Sequence, residues 1–211
     1  GTVLAELPLT RSFDVDTVLV PEQIPHAPVF VVCGGAVGLQ HILGDGRRTL
    51  STLYLDGDVI DFGEIGDTAG TLVCLLPVSG FFIADEELDH RKRTDPGFRA
   101  ALEANYARQN RFLDQHCVDL ARKSAVEKLA SYIFECRSRQ CLAGGRDIHL
   151  ILMRIDIADY MGLRAETLSR AFAQLTQLTL IDVRDANHVQ ITNEPTLRQI
   201  ANGLVRRSGY L

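Results

Sequence analysis

The 211-residue sequence has little that would place it in a membrane or give it a catalytic site. No apolar run approaches the roughly 20 residues that cross a bilayer, and the first residues show no signal-peptide pattern. The sequence also has no serine nucleophile elbow, no phosphate-binding P-loop and no dinucleotide-binding glycine fingerprint. These absences argue against the enzyme classes that carry such signatures. We expect a cytoplasmic protein that is not an enzyme and does not bind a membrane.

Metal-ligand patterns are absent as well. The cysteines are Cys33, Cys74, Cys117, Cys136 and Cys141. Their spacings form neither a C-x-x-C pair nor a zinc knuckle, and the six histidines show no i, i+4 pairing. We therefore expect no metal ion and no cofactor, and we interpret the cysteines as reduced thiols in a cytoplasm.

The chain also lacks a net positive charge, since 22 Lys and Arg stand against 27 Asp and Glu, for a net charge of −5. The charge is unevenly distributed. Residues 1–124 contain 11 Lys/Arg and 18 Asp/Glu, a net charge of −7, whereas residues 125–211 contain 11 and 9, a net charge of +2. The second part is therefore the one whose charge suits an anionic partner such as nucleic acid.

Short β-rich runs separated by glycine and proline fill the first part of the chain, from Phe13 to about Leu88. The predicted strands include Thr17–Val20, Val29–Cys33, Ala36–Leu43 and Leu50–Leu55. Gly44-Asp45-Gly46 stands between two apolar runs and predicts a hairpin. Such spacing is typical of an antiparallel barrel or sandwich.

A single long helix is predicted over Asp95–Lys123, with Pro96 in its first turn. Residues at spacings of three and four form a heptad-like seam: Leu102, Asn105, Gln109, Leu113 (with Phe112), His116 and Leu120. Such a helix could pack only on its own domain. Its length and its place between two domains favour a two-fold dimer helix instead.

Two short helical patterns around one glycine follow in Arg154–Gln177. The first, about Ile155–Met161, would place Ile155, Ala158 and Met161 on one face, and Gly162 would end it. The second runs from about Ala165 to Leu178. At 100° per residue, its inward face is apolar and consists of Leu168, Phe172 and Leu175, with Ala171 at the margin. This is the layout of a helix-turn-helix.

The outward face of the second helix begins with Glu166, Ser169 and Arg170, spaced i, i+3, i+4. Arginine can bond guanine bidentately, glutamate can accept from cytosine, and serine can bond a base or a phosphate. The face is therefore suited to reading DNA. These residues alone are also compatible with a solvated helix carrying a Glu–Arg pair.

The run Glu166-Thr167-Leu168-Ser169-Arg170 resembles the E-x-x-S-R recognition-helix signature of the Crp/Fnr family of transcription regulators, in its Fnr/FixK branch. The similarity is most specific over residues 154–192 and extends back through KSAVEKLASYIFE. It implies DNA contacts from Glu166, Ser169 and Arg170, with Arg164 and Thr167 beside them. Arg164 departs from the family, which often has Thr or Ser at this N-cap.

The resemblance implies an α+β fold with a jelly-roll-like β-roll sensor domain over residues 1–94. A dimerisation helix would follow over 95–123, and a winged helix-turn-helix domain over 124–211. In that domain we expect an amphipathic helix over Lys128–Ser138 and a strand over His149–Leu152. The wing would be a hairpin of Leu178–Val183 and Val189–Thr192, with a short helix after Pro195.

The ligands of two well-known family branches are not expected. No Arg or Lys lies between Ile65 and Pro77, where cyclic-nucleotide-binding members place an arginine on the phosphate, so we expect no cAMP binding. Cys74 falls where Fnr-like sensors have an internal cluster ligand, but no cysteine precedes Cys33. One thiolate cannot hold an iron–sulfur cluster, and Cys74 is interpreted as a small buried hydrophobic residue.

The family resemblance also implies what the protein does. It predicts a homodimeric regulator that binds double-stranded DNA at a palindrome like TTGAT-N4-ATCAA, works with RNA polymerase as an activator, and acts in oxygen- or redox-linked gene control. The alternative hypothesis is a small-molecule-binding β-barrel whose helical domain binds protein partners.

Overall fold

The computed structural model describes residues 10–20, 29–65, 70–140 and 145–204. Cys141 therefore lies outside the described residues. The chain divides into two compact units, Gly1–Leu113 and Asp114–Leu211. The division falls inside the long helix that the sequence predicts as a segment of its own over Asp95–Lys123. In the part that the structure describes, no helix is long and apolar enough to cross a membrane.

The strands in the described part of the first unit form two antiparallel sheets. Their strands are β1 (Arg11–Phe13), β2 (Val29–Gly34), β3 (Ala36–Ile42), β4 (Arg48–Leu55), β5 (Val59–Asp61), β6 (Thr71–Cys74) and β7 (Val78–Ile83), with a short helix α1 (Phe62–Ile65) after β5. One sheet has the order β1-β7-β2-β5, and the other has the order β4-β3-β6. The predicted antiparallel β domain is therefore confirmed.

The β3–β4 connection is the hairpin that Gly44-Asp45-Gly46 predicts. The N–H of Leu43 donates to the carbonyl of Arg47 at 2.9 Å, which closes the loop. Gly46 has a φ of 84°, a left-handed conformation that glycine adopts without a Cβ clash. The hairpin is thus determined by local sequence.

The predicted strand Thr17–Val20 is wrong in extent. Only Val18 makes a β-bridge there, an isolated one with Val73. A turn containing Asp16 at a φ of 66° directly precedes the segment. The pairing with β6 is short and includes the bonds from the N–H of Leu19 to the carbonyl of Leu72 and from the N–H of Cys74 to the carbonyl of Thr17, both at 2.9 Å.

The core of the first unit contains side chains from both sheets. Phe30 and Ile60 are completely buried, and the rings of Phe30 and Phe82 lie 4.7 Å apart. Cys74 is also completely buried in this core. Burial raises the pKa of the Cys74 thiol to about 11, so it stays protonated. The interpretation of Cys74 as a small buried hydrophobic residue is confirmed.

The two helices that follow are α2 (Asp85–Thr94) and α3 (Pro96–Arg122). Asp95 precedes α3, and its Oδ1 accepts from the N–H of Phe98 at 3.0 Å, as an N-cap does. Pro96 occupies the first helical position, where a missing N–H has no consequence. The long helix thus matches its predicted span to within one residue at each end.

The predicted dimer seam is wrong for the first half of α3. Leu102 is buried in a cluster with Val59 and other apolar residues of the first unit. Asn105 Oδ1 accepts from the N–H of Val59 at 3.2 Å, and Gln109 Nε2 donates to its carbonyl at 2.9 Å. These side chains satisfy the backbone of β5, and that requirement directs this half of the seam onto the chain's own first unit.

The later seam residues have two different environments. His116 is buried, and its ring stacks on Tyr160 at a centroid distance of 3.9 Å with the planes 2° apart. Leu113 and Leu120 are 39% and 38% exposed. Among the seam residues that the structure describes, only these two leucines have a large exposed apolar surface.

The second unit begins with α4 (Ala125–Arg139), capped by Ser124. The Ser124 hydroxyl accepts from the N–H of Glu127 at 3.4 Å, while the Glu127 carboxylate accepts from the N–H of Ser124 at 2.7 Å. This reciprocal capping box fixes the start of the helix. Leu129, Ile133 and Cys136 are completely buried, so the predicted amphipathic face is confirmed.

The remaining elements are β8 (Asp147–His149), α5 (Arg154–Tyr160), α6 (Ala165–Gln177), β9 (Ile181–Val183), β10 (His188–Ile191) and α7 (Glu194–Ala201). The strands form a sheet in the order β8-β10-β9. β8 ends where the predicted strand His149–Leu152 begins. The N–H of Leu150 still donates to the carbonyl of Asn187, but the N–H of Leu152 donates to the Tyr132 hydroxyl at 3.2 Å, so the pairing does not extend to Leu152.

A buried ion pair lies on α4. Arg139 Nε donates to Glu135 Oε1 at 2.8 Å, and their side chains are 6% and 16% exposed. The Tyr160 hydroxyl also donates to Glu135, at 3.3 Å. Burial raises the pKa of Glu135, and Arg139 acts in the opposite direction. The pair thus links α4 to the C-terminal end of α5.

Candidate nucleic-acid interface

The turn between α5 and α6 ends the first helix as the glycine predicts. Gly162 has a φ of 61°. Its N–H donates to the carbonyl of Asp159 at 3.3 Å, and the N–H of Leu163 donates to that of Ala158 at 2.8 Å. These two bonds are those of a Schellman C-cap, which satisfies the last carbonyls of a helix. The short helix therefore ends at a defined point, Tyr160, and α6 begins five residues later at Ala165.

The predicted inner face of α5 is correct for two of its three residues. Ala158 and Met161 are buried, but Ile155 is 58% exposed. The buried face is centred on Ile157, which is completely buried. At 100° per residue, Ile155 lies on the side opposite Ile157, so both cannot face the core.

Gly162→Ala should destabilise the second unit by about 1–2 kcal/mol, because an L side chain is strained in the left-handed region. A Cβ added there would meet Leu120 Cδ2 at 3.7 Å, an ordinary contact, so crowding adds little. Gly162→Asn is the matched control, since asparagine tolerates this conformation. Urea unfolding followed by circular dichroism measures the difference. Equal losses for both variants would contradict a conformational cause.

The inward side of α6 anchors the helix. Leu168, Ala171, Phe172 and Leu175 are all at most 7% exposed, as the periodicity predicts. This packing fixes the rotation of α6 about its axis. It therefore determines which side chains point outward.

The predicted site residues all lie on α6 or at its N-cap. Arg164, Glu166, Ser169 and Arg170 are exposed, and Thr167 is half-buried. Arg164 is the N-cap residue and makes no side-chain cap hydrogen bond, as expected from its type. Arg170 Nε donates to the backbone carbonyl of Glu166 at 3.3 Å, so the guanidinium lies along the first turns of the helix. The structure thus brings the five residues together at the N-terminal end of α6.

Arg154 is a further candidate, which was not predicted from the sequence. Its guanidinium carbon lies 3.5 Å from the centroid of the Phe172 ring. Its Nη1 is buried and makes no hydrogen bond to any described residue. Burial lowers the pKa of Arg154, which nevertheless stays charged because guanidinium does not deprotonate in proteins. A cation at the first position of a helix opposes the helix dipole, and this is the sequence signal that could have identified Arg154.

The predicted wing is a hairpin in the structure. β9 pairs antiparallel with β10, and the turn between them contains Asp185, Ala186 and Asn187. The N–H of Arg184 donates to the carbonyl of His188 at 3.0 Å across its base. The turn thus carries exposed charged side chains at the edge of the same unit as α6.

Comparison with known proteins agrees with this geometry. Residues 127–200 match the Crp-like helix-turn-helix domain family. The chain is 30% identical over 173 residues to the nitrogen fixation regulation protein FixK of Rhizobium meliloti (strain 1021), which covers 82% of this chain and 78% of that protein. It is 24% identical over 184 residues to the fumarate and nitrate reduction regulatory protein of Shigella dysenteriae, covering 82% and 70%.

A solved structure gives the same result over nearly the whole chain. The structure of FixK2 from Bradyrhizobium japonicum superposes with a TM-score of 0.76 at 27% identity, covering 92% of this chain and 97% of that one. These relatives are regulators, and the helix that they share presents its polar face outward here. The chain belongs to the Crp/Fnr family of DNA-binding transcription regulators, in the branch that includes FixK and Fnr.

Proposed function

We propose that the protein binds, as a homodimer, a palindromic site like TTGAT-N4-ATCAA, with α6 of each subunit in the major groove. The observation that carries this proposal is the arrangement of α6. Its apolar side is fixed in the core, and its first turns expose Glu166, Ser169 and Arg170 together. A helix held in this way presents a constant set of hydrogen-bonding groups to base edges. Two copies would read two half-sites about one helical turn apart.

The chemistry of each side chain suggests its role. Arg170 suits guanine, because its planar fork can donate to O6 and N7 together. Glu166 suits a base-edge donor on the complementary strand, and Ser169 suits a thymine or its phosphate. Ala165 stands where cAMP-responsive relatives have a further arginine, and its methyl group cannot replace that contact. A TGTGA-type site should therefore bind less tightly.

The remaining polar groups suit the DNA backbone. Arg164 and Thr167 flank the reading face, and Arg154 has a buried N–H without a protein partner in the described residues. A nearby phosphate would compensate the cation at the start of α5. Contacts of this kind position the helix and carry no sequence information.

Arg170→Ala should weaken binding by roughly 1–3 kcal/mol per half-site and should relax the preference at the guanine. The measurement is a competition titration of wild type and variant against duplexes that differ only at that base pair. Loss of discrimination together with affinity supports the assignment. Equal losses on every duplex would mean that Arg170 positions the helix and does not read the base.

Arg164→Ala is the matched control because it removes a cation from the same end of α6. A phosphate contact should be lost equally on all duplexes, and the slope of log K against log salt should fall by about one. A change in base preference in this variant would contradict its assignment to the backbone.

The similar proteins suggest the wider biological role of this protein. We infer that the protein acts in the cytoplasm as a transcription activator together with RNA polymerase, in oxygen- or redox-linked gene control. The names of the FixK and fumarate and nitrate reduction proteins support this setting. The alternative, a β-barrel with a protein-binding helical domain, is not favoured, because the helical part matches a DNA-binding family.

A further inference from the structure

Two histidines lie opposite each other on neighbouring strands of the β8-β10-β9 sheet. His149 on β8 and His188 on β10 are directly opposite in the antiparallel register. Their neighbours Ile148 and Val189 are buried, so both histidines point to the outer side of the sheet. Their ring centroids are 4.8 Å apart, with the planes at 57°.

A carboxylate fixes the orientation of one of these rings. Asp185 accepts from the N–H groups of Asn187 and His188 at 2.8 and 2.9 Å, so its position is determined by the turn. Its Oδ2 lies 2.9 Å from His188 Nδ1. An ionised carboxylate only accepts, so Nδ1 carries the proton and Nε2 keeps its lone pair. Histidines that ligate metals almost always donate their other N–H to such a group.

The spacing of the rings matches two imidazoles on one ion. With metal–nitrogen bonds of about 2.0–2.1 Å and angles between about 90° and 110°, the ring centroids should lie about 4.5–5.2 Å apart. The observed separation of 4.8 Å falls within that range. We propose that His149 and His188 form a divalent transition-metal site on the β8-β10-β9 sheet, with Asp185 orienting His188.

The donor set defines the class of ion. Imidazole nitrogen suits Ni²⁺, Cu²⁺ and Zn²⁺ much better than Mg²⁺ or Ca²⁺, which require oxygen. In the described part of the chain, no three His, Cys, Asp or Glu side chains are placed to hold a metal together. Water therefore fills the other coordination positions, and binding is reversible.

The test is calorimetric titration of NiCl₂ into tag-free protein. Wild type should bind one ion per chain at this site. His149→Gln and His188→Gln should each weaken that binding at least about 10-fold, since either change leaves one nitrogen. Asp185→Asn should weaken it by about 10-fold, because the tautomer of His188 is no longer fixed.

His90→Gln is the matched control, because His90 is an exposed histidine on α2 in the other unit. It should bind Ni²⁺ as wild type does. Every variant keeps the same cysteines, so a difference in Ni²⁺ affinity between variants is caused by the substituted residue and not by a thiol. The proposal is overturned if wild type binds no Ni²⁺, or if His149→Gln and His188→Gln bind it as tightly as His90→Gln does.

Discussion

Changing Leu113 and Leu120 together to glutamate is expected to give a monomer that has lost DNA binding by a factor on the order of 100 to 10,000. The two leucines are seven residues apart on α3 and therefore lie on the same side of that helix. Both are exposed, although apolar seam residues earlier in the helix are covered by the first unit. Charges would be buried without partners in a dimer interface there. A monomer holds only one half-site, so the gain from simultaneous binding is lost.

Sedimentation velocity measures the oligomeric state, and a titration with the palindromic duplex measures affinity. Val118→Glu is the matched control, since Val118 is 54% exposed on nearly the opposite side of α3. It should remain dimeric and bind DNA normally. If the double variant stays dimeric, the interface lies elsewhere. If it is monomeric but binds as tightly as wild type, the two-half-site reading is wrong.

Arg139→Met should destabilise the second unit by about 3–5 kcal/mol. The substitution keeps most of the apolar volume but leaves the Glu135 carboxylate buried without its cation. The Tyr160 hydroxyl remains as a hydrogen-bond donor at 3.3 Å but supplies no charge. Urea unfolding followed by circular dichroism gives the loss, and hydrogen exchange in α4 assigns it to the second unit.

The loss of unfolding free energy caused by Arg139→Met should grow as the pH rises. Burial already raises the pKa of Glu135, and removing Arg139 raises it further. A carboxyl whose folded pKa is raised contributes stability below its unfolded pKa and loses it as the pH rises through the folded value. The deficit of Arg139→Met should therefore be smaller near about pH 5 than near about pH 8.

Changing both members of the pair to methionine should recover much of the stability, because a buried ion pair is often replaceable by apolar groups of similar volume. Arg91→Met is the exposed counterpart, since Arg91 pairs with Glu87 on the surface of α2. It should cost no more than about 1 kcal/mol. A small, pH-independent loss in Arg139→Met would show that the pair contributes little.

The recognition helix is the element that the sequence predicts best. Its apolar residues recur with a helical period, and the same burial that the period implies is found at Leu168, Phe172 and Leu175. Gly162 sets the preceding turn through its own backbone conformation. Both signals are local, so no knowledge of the rest of the fold is needed to interpret them.

Features that depend on contacts between residues far apart in the chain could not be predicted from the sequence. The α3 seam has one period throughout, yet Leu102 packs on the first unit while Leu113 stays exposed. Ile155 is apolar but faces away from the core, because Ile157 takes the inner position. The stacking of Arg154 on Phe172 joins two helices, and its chemistry becomes visible only when they are packed together.

The burial of Cys74 has a further consequence when it is considered with Cys136, because among the described residues each unit then contains one fully buried thiol. Alkylating reagents attack the thiolate, and burial raises the pKa of Cys74 to about 11 and that of Cys136 to about 12. Cys33 and Cys117 are exposed, so a reagent can reach them without any opening of the fold. A reagent can modify each buried thiol only after its own unit opens. The modification rates of Cys74 and Cys136 therefore report the opening of the first and the second unit separately, without any added label.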